Sequence, residues 1–401
     1  MSGLLSTCCR TVFLSIILLI SAWFGFLAFY PFPNLDQLSK DWPIQTLEEY
    51  HEKMNPIMKA NGITMNFPPK LANFVKISLS NGIIFNALEG GRKEGETNQK
   101  LLIFMHGYPE TALLCFGRYL DHFIQQGYWV IAPDMRGYNA SSKPVPEGVD
   151  LEQVSKGLPT DMSFESLKKY LKDLNSIPYE YVDVKLAKDY QLLVTEYAKR
   201  EKAIFISHDW GAAALGFTMK EYPEIIEKSV LGLAMRVNEG KYIKEHTAKF
   251  FRQLTKSWYI FFLQLVGLSE LISTRNDYAM FFNTAGFDQE AHQGRLSAEE
   301  AKLWLENIKS SYITATSFYR AAFRTQSTRS FDKEKVDVPV LFLHAENDRY
   351  LTEESAHFAL KEALTERAQK ESKVFIVKES SHWIQFYGEK FIKEIDEFIR
   401  K

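Results

Sequence analysis

"AIFISHDWGAAA", Ala203 to Ala214, sets the reading of the whole chain. Its first residues form a short, unbroken apolar run, as in a strand covered on both faces. Ser207-His208-Asp209-Trp210-Gly211 follows and leads into small, apolar, helix-compatible residues. A carboxylate flanked two residues away on each side by a small residue fits a tight strand-to-helix elbow, where bulky neighbours would clash and the central side chain is held out over the sheet edge. Asp209 is then presented rather than buried. The plainer alternative is that Asp209 caps the helix behind it, a place aspartate favours.

Similar runs recur on both sides of the elbow: "LLIFMHG", "YWVIAPD", "SVLGLAM", "VPVLFLHAEND" and "SKVFIVKES". The gaps between them are long enough for crossover helices. Before them, "NFVKISLS" and "GIIFNALEG" alternate around Asn81-Gly82 and predict a hairpin. The expected fold is α/β: an eight-stranded, mostly parallel sheet, with each polar motif at the C-terminal end of a strand, where such sheets bind ligands.

Two segments break the alternation. Residues 236–330, rich in Phe, Tyr and Trp, read as an inserted helical cap, and residues 144–180 as an insertion with its own helix pattern. The expected division is a tail at 1–10, an anchor at 11–33, a helical collar at 34–73, core at 74–235, cap at 236–330 and core again at 331–401.

The anchor is expected because no charged side chain occurs between Arg10 and Asp36, and the stretch "FLSIILLISAWFGFLAFYPF" is about long enough to cross a bilayer as a helix. A cleaved secretory signal is the competing reading. A single-pass membrane protein of the endoplasmic reticulum or another endomembrane is expected; the flanking charges, Arg10 against Lys40, lean to a cytosolic N-terminus but leave the side of the catalytic part open. Cys8 and Cys9 precede the apolar stretch, where acylation is conceivable, and Cys115 alone follows, so no disulfide is expected in the globular part. With 401 residues, 24% charged, and a net charge of −2, the chain can bury a large core and has no bias toward nucleic acid. Its 30 Phe, 19 Tyr and 7 Trp suit cavities for apolar ligands.

Where many hydrolases keep a serine, Asp209 needs no base to become a nucleophile: it is already an anion and can attack carbon, giving an ester that water must later cleave. Asp348 in "HAENDRYL" and His382 in "ESSHWIQF" each follow a later strand, in the order nucleophile, acid, histidine of the α/β-hydrolase fold. His382 would take a proton from water while Asp348 holds its tautomer. An oxyanion hole is then required, and the backbone N–H groups of Tyr108 and Trp210 are placed to form it. His106 and Gly107 shape the first of these turns, and Gly107 is expected to carry unusual dihedrals. Asp134, Arg136 and Gly137 in "PDMRGYNASSKP" read as loop architecture; the sequon at Asn139 lies too near this loop for glycosylation to be expected.

Together, "HGYPE", "PDMRGYNASSKP", "HDWGA", "NDRYL" and "SHWIQ" resemble the epoxide hydrolases of the α/β-hydrolase superfamily over roughly residues 70–401, and with one N-terminal anchor the chain looks most like the membrane-bound animal members. The resemblance implies two cap tyrosines that donate to the epoxide oxygen, which local pattern places at Tyr259 and Tyr319. It implies a small apolar epoxide as substrate, contacted by His106, Gly107, Pro109 and Trp383. No metal, organic cofactor or obligatory protein partner is expected. Ser207 departs from the glycine that is commoner at the start of the elbow. The rivals are a haloalkane dehalogenase, where a nitrogen donor to halide would stand at the position of Tyr108, and a non-catalytic binding protein that has kept the fold.

Overall fold

The computed structural model describes residues 33–232, 245, 247–275, 277–278, 285–324 and 335–401. In chain order its principal elements are α1 (Leu47–Ala60), β1 (Ala72–Ser78), β2 (Ile84–Gly90), β3 (Leu101–Met105), α2 (Ala112–Gln125), β4 (Trp129–Pro133), α3 (Phe164–Ser176), α4 (Asp183–Leu192), β5 (Ala203–His208), α5 (Trp210–Glu221) and β6 (Ile226–Gly232). They continue with α6 (Thr247–Lys256), α7 (Trp258–Leu263), α8 (Ala298–Arg324), β7 (Val340–Ala345), α9 (Glu353–Ala363), β8 (Lys373–Val377) and α10 (Gly388–Arg400).

The eight strands form one sheet in the order β1-β2-β4-β3-β5-β6-β7-β8. β1 and β2 are an antiparallel hairpin turned at Gly82, and β2 meets β4 antiparallel; the remaining pairs are parallel. Every residue of β3, β4, β5 and β7 is buried, as the continuous apolar runs require of strands covered on both faces. After β3 the chain crosses to β4 on one side, whereas β5 and β6 lie on the other. With right-handed crossovers, that reversal sends α2 and α5 to opposite faces of the sheet and opens a crevice at the C-terminal ends of β3 and β5. The motifs beginning at His106 and His208 stand there.

Local signals explain individual helices around the sheet. α1 begins with a reciprocal capping box, Thr46 accepting from the Glu49 N–H while the Glu49 carboxylate accepts from the Thr46 N–H. α10 buries Phe391, Ile392, Ile395, Phe398 and Ile399, a helical stripe with the apolar face turned inward. The segment 144–180 forms Leu151–Ser155 and α3 and lies beside α8, where Arg324 donates to Asn175 (2.7 Å); directly after the segment, Tyr181 packs on Phe318 (5.4 Å between rings).

One expectation is corrected. Among the described residues no helix is long and apolar enough to cross a membrane. All but the last residue of the stretch 11–33, which carried the expected span, lies outside the described residues, as do Cys8 and Cys9. The single-pass endomembrane assignment is therefore withdrawn: an apolar run of sufficient length is a necessary condition for a span, and no described helix meets it.

Candidate active site

Asp209 sits between β5 and α5 with φ 48° and ψ −117°, a conformation outside the ordinary wells that costs on the order of 1–3 kcal/mol when a fold imposes it. Neighbours fix it there. Its N–H donates to the Gly232 carbonyl (2.9 Å), and a Cβ on Gly211 would lie 2.0 Å from the Met105 carbonyl oxygen, so only glycine lets α5 begin this close to β3. The carboxylate does not cap α5. Instead its Oδ1 accepts from the Tyr108 N–H at 2.8 Å. The Trp210 N–H, expected as a second donor to the same place, makes no hydrogen bond to Asp209; it remains one of the unpaired donors that begin any helix. Gly107 also differs from expectation. It lies outside the positive-φ region, and glycine is needed for a different reason: a Cβ there would meet Asp209 Cβ at 2.4 Å.

His382 and Asp348 arrive on the loops after β8 and β7. His382 Nδ1 donates to Asp348 Oδ2 (3.0 Å), which leaves Nε2 facing Asp209 Oδ2 across 3.7 Å, too long for a direct hydrogen bond. Asp348 Oδ1 accepts the Tyr350 and Leu351 N–H groups at 2.6 and 2.9 Å. Burial alone would raise the Asp348 pKa, but His382 and these two donors outweigh it and hold the carboxyl below its ordinary range. For Asp209 the balance goes the other way: burial raises its pKa, against the pull of His382, His208 and the Tyr108 N–H. The rings of Tyr350 and Trp383 stand edge-on to the His382 imidazole, 4.7 and 5.0 Å away between centroids, and limit its rotation.

Beneath the carboxylate lies a buried polar layer that the sequence reading did not single out. Glu110 Oε2 accepts from the Gly107 N–H (2.6 Å) and from His208 Nδ1 (2.9 Å), and its Oε1 accepts from Gln385 (2.6 Å). His208 Nε2 faces the His382 carbonyl oxygen at 3.0 Å. With an oxygen acceptor at each ring nitrogen, His208 is an imidazolium. Burial would lower its pKa, yet Glu110 and Asp209 push it up to about 9. Glu110, Cys115 and His208 place possible metal-ligating atoms together, but His208 uses both nitrogens as donors and has no lone pair left for a cation. The free Cys115 is buried. His106, expected among the substrate contacts, lies behind this layer: Nε2 accepts from the Met135 N–H (2.8 Å) and Nδ1 donates to the Gly107 carbonyl (2.9 Å). Neither His106 nor Gly107 lines the cavity.

The cavity above Asp209 has a volume of about 300 Å³. Tyr259 on α7 and Tyr319 on α8 line it together with Asp209, His382, Tyr108 and Trp383, and Pro109 completes the wall nearest Tyr108. The two tyrosine rings meet edge to face at 5.7 Å, and Tyr319 rests against Trp210 at 4.8 Å. Burial, then the charges and phenols around them, raises both phenols well above their ordinary value, so they remain protonated donors at neutral pH. Trp383 is held by its indole N–H on the Ala285 carbonyl (2.8 Å) and by stacking on Phe287.

α8 is fastened to the loops below it along one face. Asn307 donates to the carbonyls of Pro109 (2.6 Å) and Glu110 (3.1 Å), Ser311 accepts from the Asn139 N–H (2.9 Å), and Thr314 donates to the Gly137 carbonyl. The 135–140 loop is itself braced from the core: Asp134 accepts from Ala112, Asn86 and Asn139, and Arg136 forms a buried ion pair with Asp189. The Asn139 amide is thus engaged inside the protein, as its place in the loop leads one to expect.

Comparison with known proteins agrees with this architecture. The alpha/beta hydrolase fold family matches residues 100–389. The AB hydrolase superfamily protein YfhM of Bacillus subtilis is 29% identical over 309 residues, 76% of this chain and 90% of its own. Mouse epoxide hydrolase 3 is 26% identical over 298 residues, 72% of this chain and 67% of its own. Among solved structures, Bacillus megaterium epoxide hydrolase superposes with a TM-score of 0.61 at 18% identity, over 82% of this chain and all (100%) of its own. Epoxide hydrolases are thus among the relatives, but identities this low, with a bacterial protein at 29%, do not single out the membrane-anchored animal members.

Proposed function

The chain belongs to the alpha/beta hydrolase fold family, and from that premise we propose that it is an epoxide hydrolase, converting apolar epoxides to vicinal diols through an ester on Asp209. The observation that carries the reading is that two phenols, Tyr259 and Tyr319, line one cavity together with the Asp209 carboxylate. A serine-type acyl transfer has no use for such a roof. An opening epoxide does, because its oxygen becomes an alkoxide that must be protonated as the C–O bond breaks.

In this reading Asp209 Oδ2 attacks an epoxide carbon while Oδ1 stays on the Tyr108 N–H. The C–O bond breaks, a proton passes from a phenol to the alkoxide, and the carboxylate charge is consumed in the ester. Loss of that charge removes one of the influences holding the phenol pKa values up, so donation becomes easier as the reaction advances. Water then occupies the gap between His382 Nε2 and the ester, gives its proton to His382 and attacks the Asp209 carbonyl carbon. The tetrahedral oxyanion forms on Oδ1, against the Tyr108 N–H, with the free Trp210 N–H available beside it. Collapse breaks the bond between the Asp209 carbonyl carbon and Oδ2, the departing alkoxide takes the proton held by His382 and leaves as the diol, the second proton of the water passes from the new carboxyl to the phenolate, and Asp209 now carries one oxygen from water. Asp348 fixes the tautomer throughout. No step requires a metal or an organic cofactor. The division of the chain into a core of 74–235 and 331–401 and a cap of 236–330 belongs to the same proposal, the cap supplying the phenols.

The test is single-turnover reaction with a panel of apolar epoxides in ¹⁸O-water. The first diol is expected to carry unlabelled oxygen, with label entering Asp209. Asp209→Asn should abolish diol formation, and His382→Gln should let the alkyl-enzyme accumulate as a mass adduct. Label in the first diol, or full activity in either variant, would end the proposal.

A further inference from the structure

A run of aromatic rings, meeting edge to face, leads from the residue beside the nucleophile to the base. Trp210 meets Tyr319 (4.8 Å, 84°), Tyr319 meets Tyr259 (5.7 Å, 83°), Tyr259 meets Tyr350 (5.2 Å, 76°) and Tyr350 meets His382 (4.7 Å, 79°). Perpendicular contacts of this kind are directional and contribute about 0.5–1.5 kcal/mol each beyond burial, so the ring positions along the run depend on one another. The proposed reaction engages the other rings and leaves Tyr350 out. Yet Tyr350 lines the cavity together with Asp209 and His382. Its main chain belongs to the turn that holds the acid: the N–H donates to Asp348 Oδ1 (2.6 Å), and the carbonyl accepts from Gln253 (2.6 Å).

The bond from His382 Nδ1 to Asp348 fixes one point of the imidazole and not its plane. The ring can still swing about Cβ–Cγ and carry Nε2 across the 3.7 Å gap that separates it from Asp209 Oδ2. Its ring neighbours, which set that swing, are Tyr350, Trp383 and His208. Trp383 is tied to the Ala285 carbonyl and His208 to Glu110. Among the described residues, Tyr350 is the ring that touches both the base and one of the two phenols. The groups of the first half of the reaction have other supports: the Tyr108 N–H holds Asp209, and Tyr259 leans on Tyr319 from a helix whose end accepts from Arg320 at the Leu263 carbonyl (2.8 Å). We propose that Tyr350 is a positioning residue for the second half of the reaction, its ring holding the imidazole so that Nε2 aims at the water that cleaves the ester. This rests on the epoxide hydrolase reading and deepens it. A misplacement of about 1 Å can cost on the order of 10²-fold, so a loosened imidazole is enough to change which half limits turnover.

Substitution at 350 tests the ring alone, because the main-chain bonds of that residue need no particular side chain. Tyr350→Leu removes the ring; Tyr350→Phe keeps it and removes the hydroxyl. In single turnover of an apolar epoxide by the full chain, mass spectrometry of acid-quenched protein follows the alkyl-enzyme as it forms and decays. Tyr350→Leu is expected to slow ester hydrolysis about tenfold with alkylation changed by less than about twofold, so that the adduct accumulates, and Tyr350→Phe should keep both steps within about twofold. A second readout needs no substrate. In protein labelled with ¹⁵N-histidine, the downfield proton that His382 Nδ1 shares with Asp348 should broaden by exchange with water in Tyr350→Leu and persist in Tyr350→Phe. Unchanged hydrolysis in Tyr350→Leu, alkylation slowed as much as hydrolysis, or a Phe variant no better than the Leu variant overturns the positioning role. Should no epoxide form an adduct with the unaltered chain, the parent reading fails, and the imidazole signal then decides alone: left unchanged by Tyr350→Leu, it overturns the role of the ring as well.

Discussion

Glu110 and His208 lie 98 residues apart in the chain and form a buried ion pair directly under the nucleophile. His208 is held up to about 9, although burial opposes it, whereas Glu110 is held below its ordinary value because His208 and its N–H donors outweigh the burial that would raise it. A raised histidine stabilises the fold fully below its unfolded pKa of about 6.5, and that contribution disappears as pH climbs through about 9. A lowered glutamate contributes above its unfolded value of about 4.3 and fails only as pH drops through its depressed value. The melting temperature should therefore decline between about pH 6.5 and 9, and calorimetry of His208→Gln should show a lower but flatter curve. An unchanged slope in the variant would mean that another group titrates. The pair was hard to see in sequence because each member stands beside a more obvious residue: Glu110 closes "HGYPE", and His208 precedes Asp209. Asp209, Asp348 and His382 were legible because a strand end marks each of them. Gly107 was legible as a special position but not for its reason, since a close approach between two turns leaves no trace in either turn alone.

At the scale of elements, the two tyrosine-bearing helices are held by different means. α8 is bolted to two loops through Asn307, Ser311 and Thr314, whose spacing puts them on one face. α6, which leads into α7, grips the acid loop instead: Gln253 donates to the Tyr350 carbonyl (2.6 Å) and accepts from the Thr352 N–H (3.0 Å). These two bonds flank the turn whose amides hold Asp348, so Gln253 positions the acid without touching it. Gln253→Ala is expected to lower kcat about tenfold with little change in KM, at a stability cost of about 1 kcal/mol. Steady-state kinetics beside urea denaturation distinguishes this from general loosening, which would raise KM as well. The helices α6, α7 and α8 were readable from the aromatic, non-alternating composition of their stretch. The clamps were not, because polar side chains that bind distant backbone carry no periodic signal.

For the whole molecule, the eight strands were legible from their continuous apolar runs, since a strand buried on both faces can hardly look otherwise. The order of strands came from topology rather than composition. What the sequence hid at this scale is the tie between α2 and α8. Arg118 on α2 donates through Nη2 to both carboxylate oxygens of Glu300 on α8 at 2.8 Å, with neither side chain exposed, and Tyr50, Phe67 and Phe386 surround the guanidinium. Arg118→Met leaves Glu300 as a buried uncompensated charge and should cost roughly 3–5 kcal/mol in urea denaturation, whereas adding Glu300→Leu should recover most of the loss. A double variant no more stable than the single one would show that the aromatic contacts of Arg118, not its charge, hold α2 and α8 together.

The same tie limits how the protein can be rebuilt. A helix α8 grafted from a relative would have to bring an acid of its own at the place of Glu300, or Arg118 would be left stranded beside it. Engineers exchanging this helix should treat these two residues as a single cassette that crosses the graft boundary.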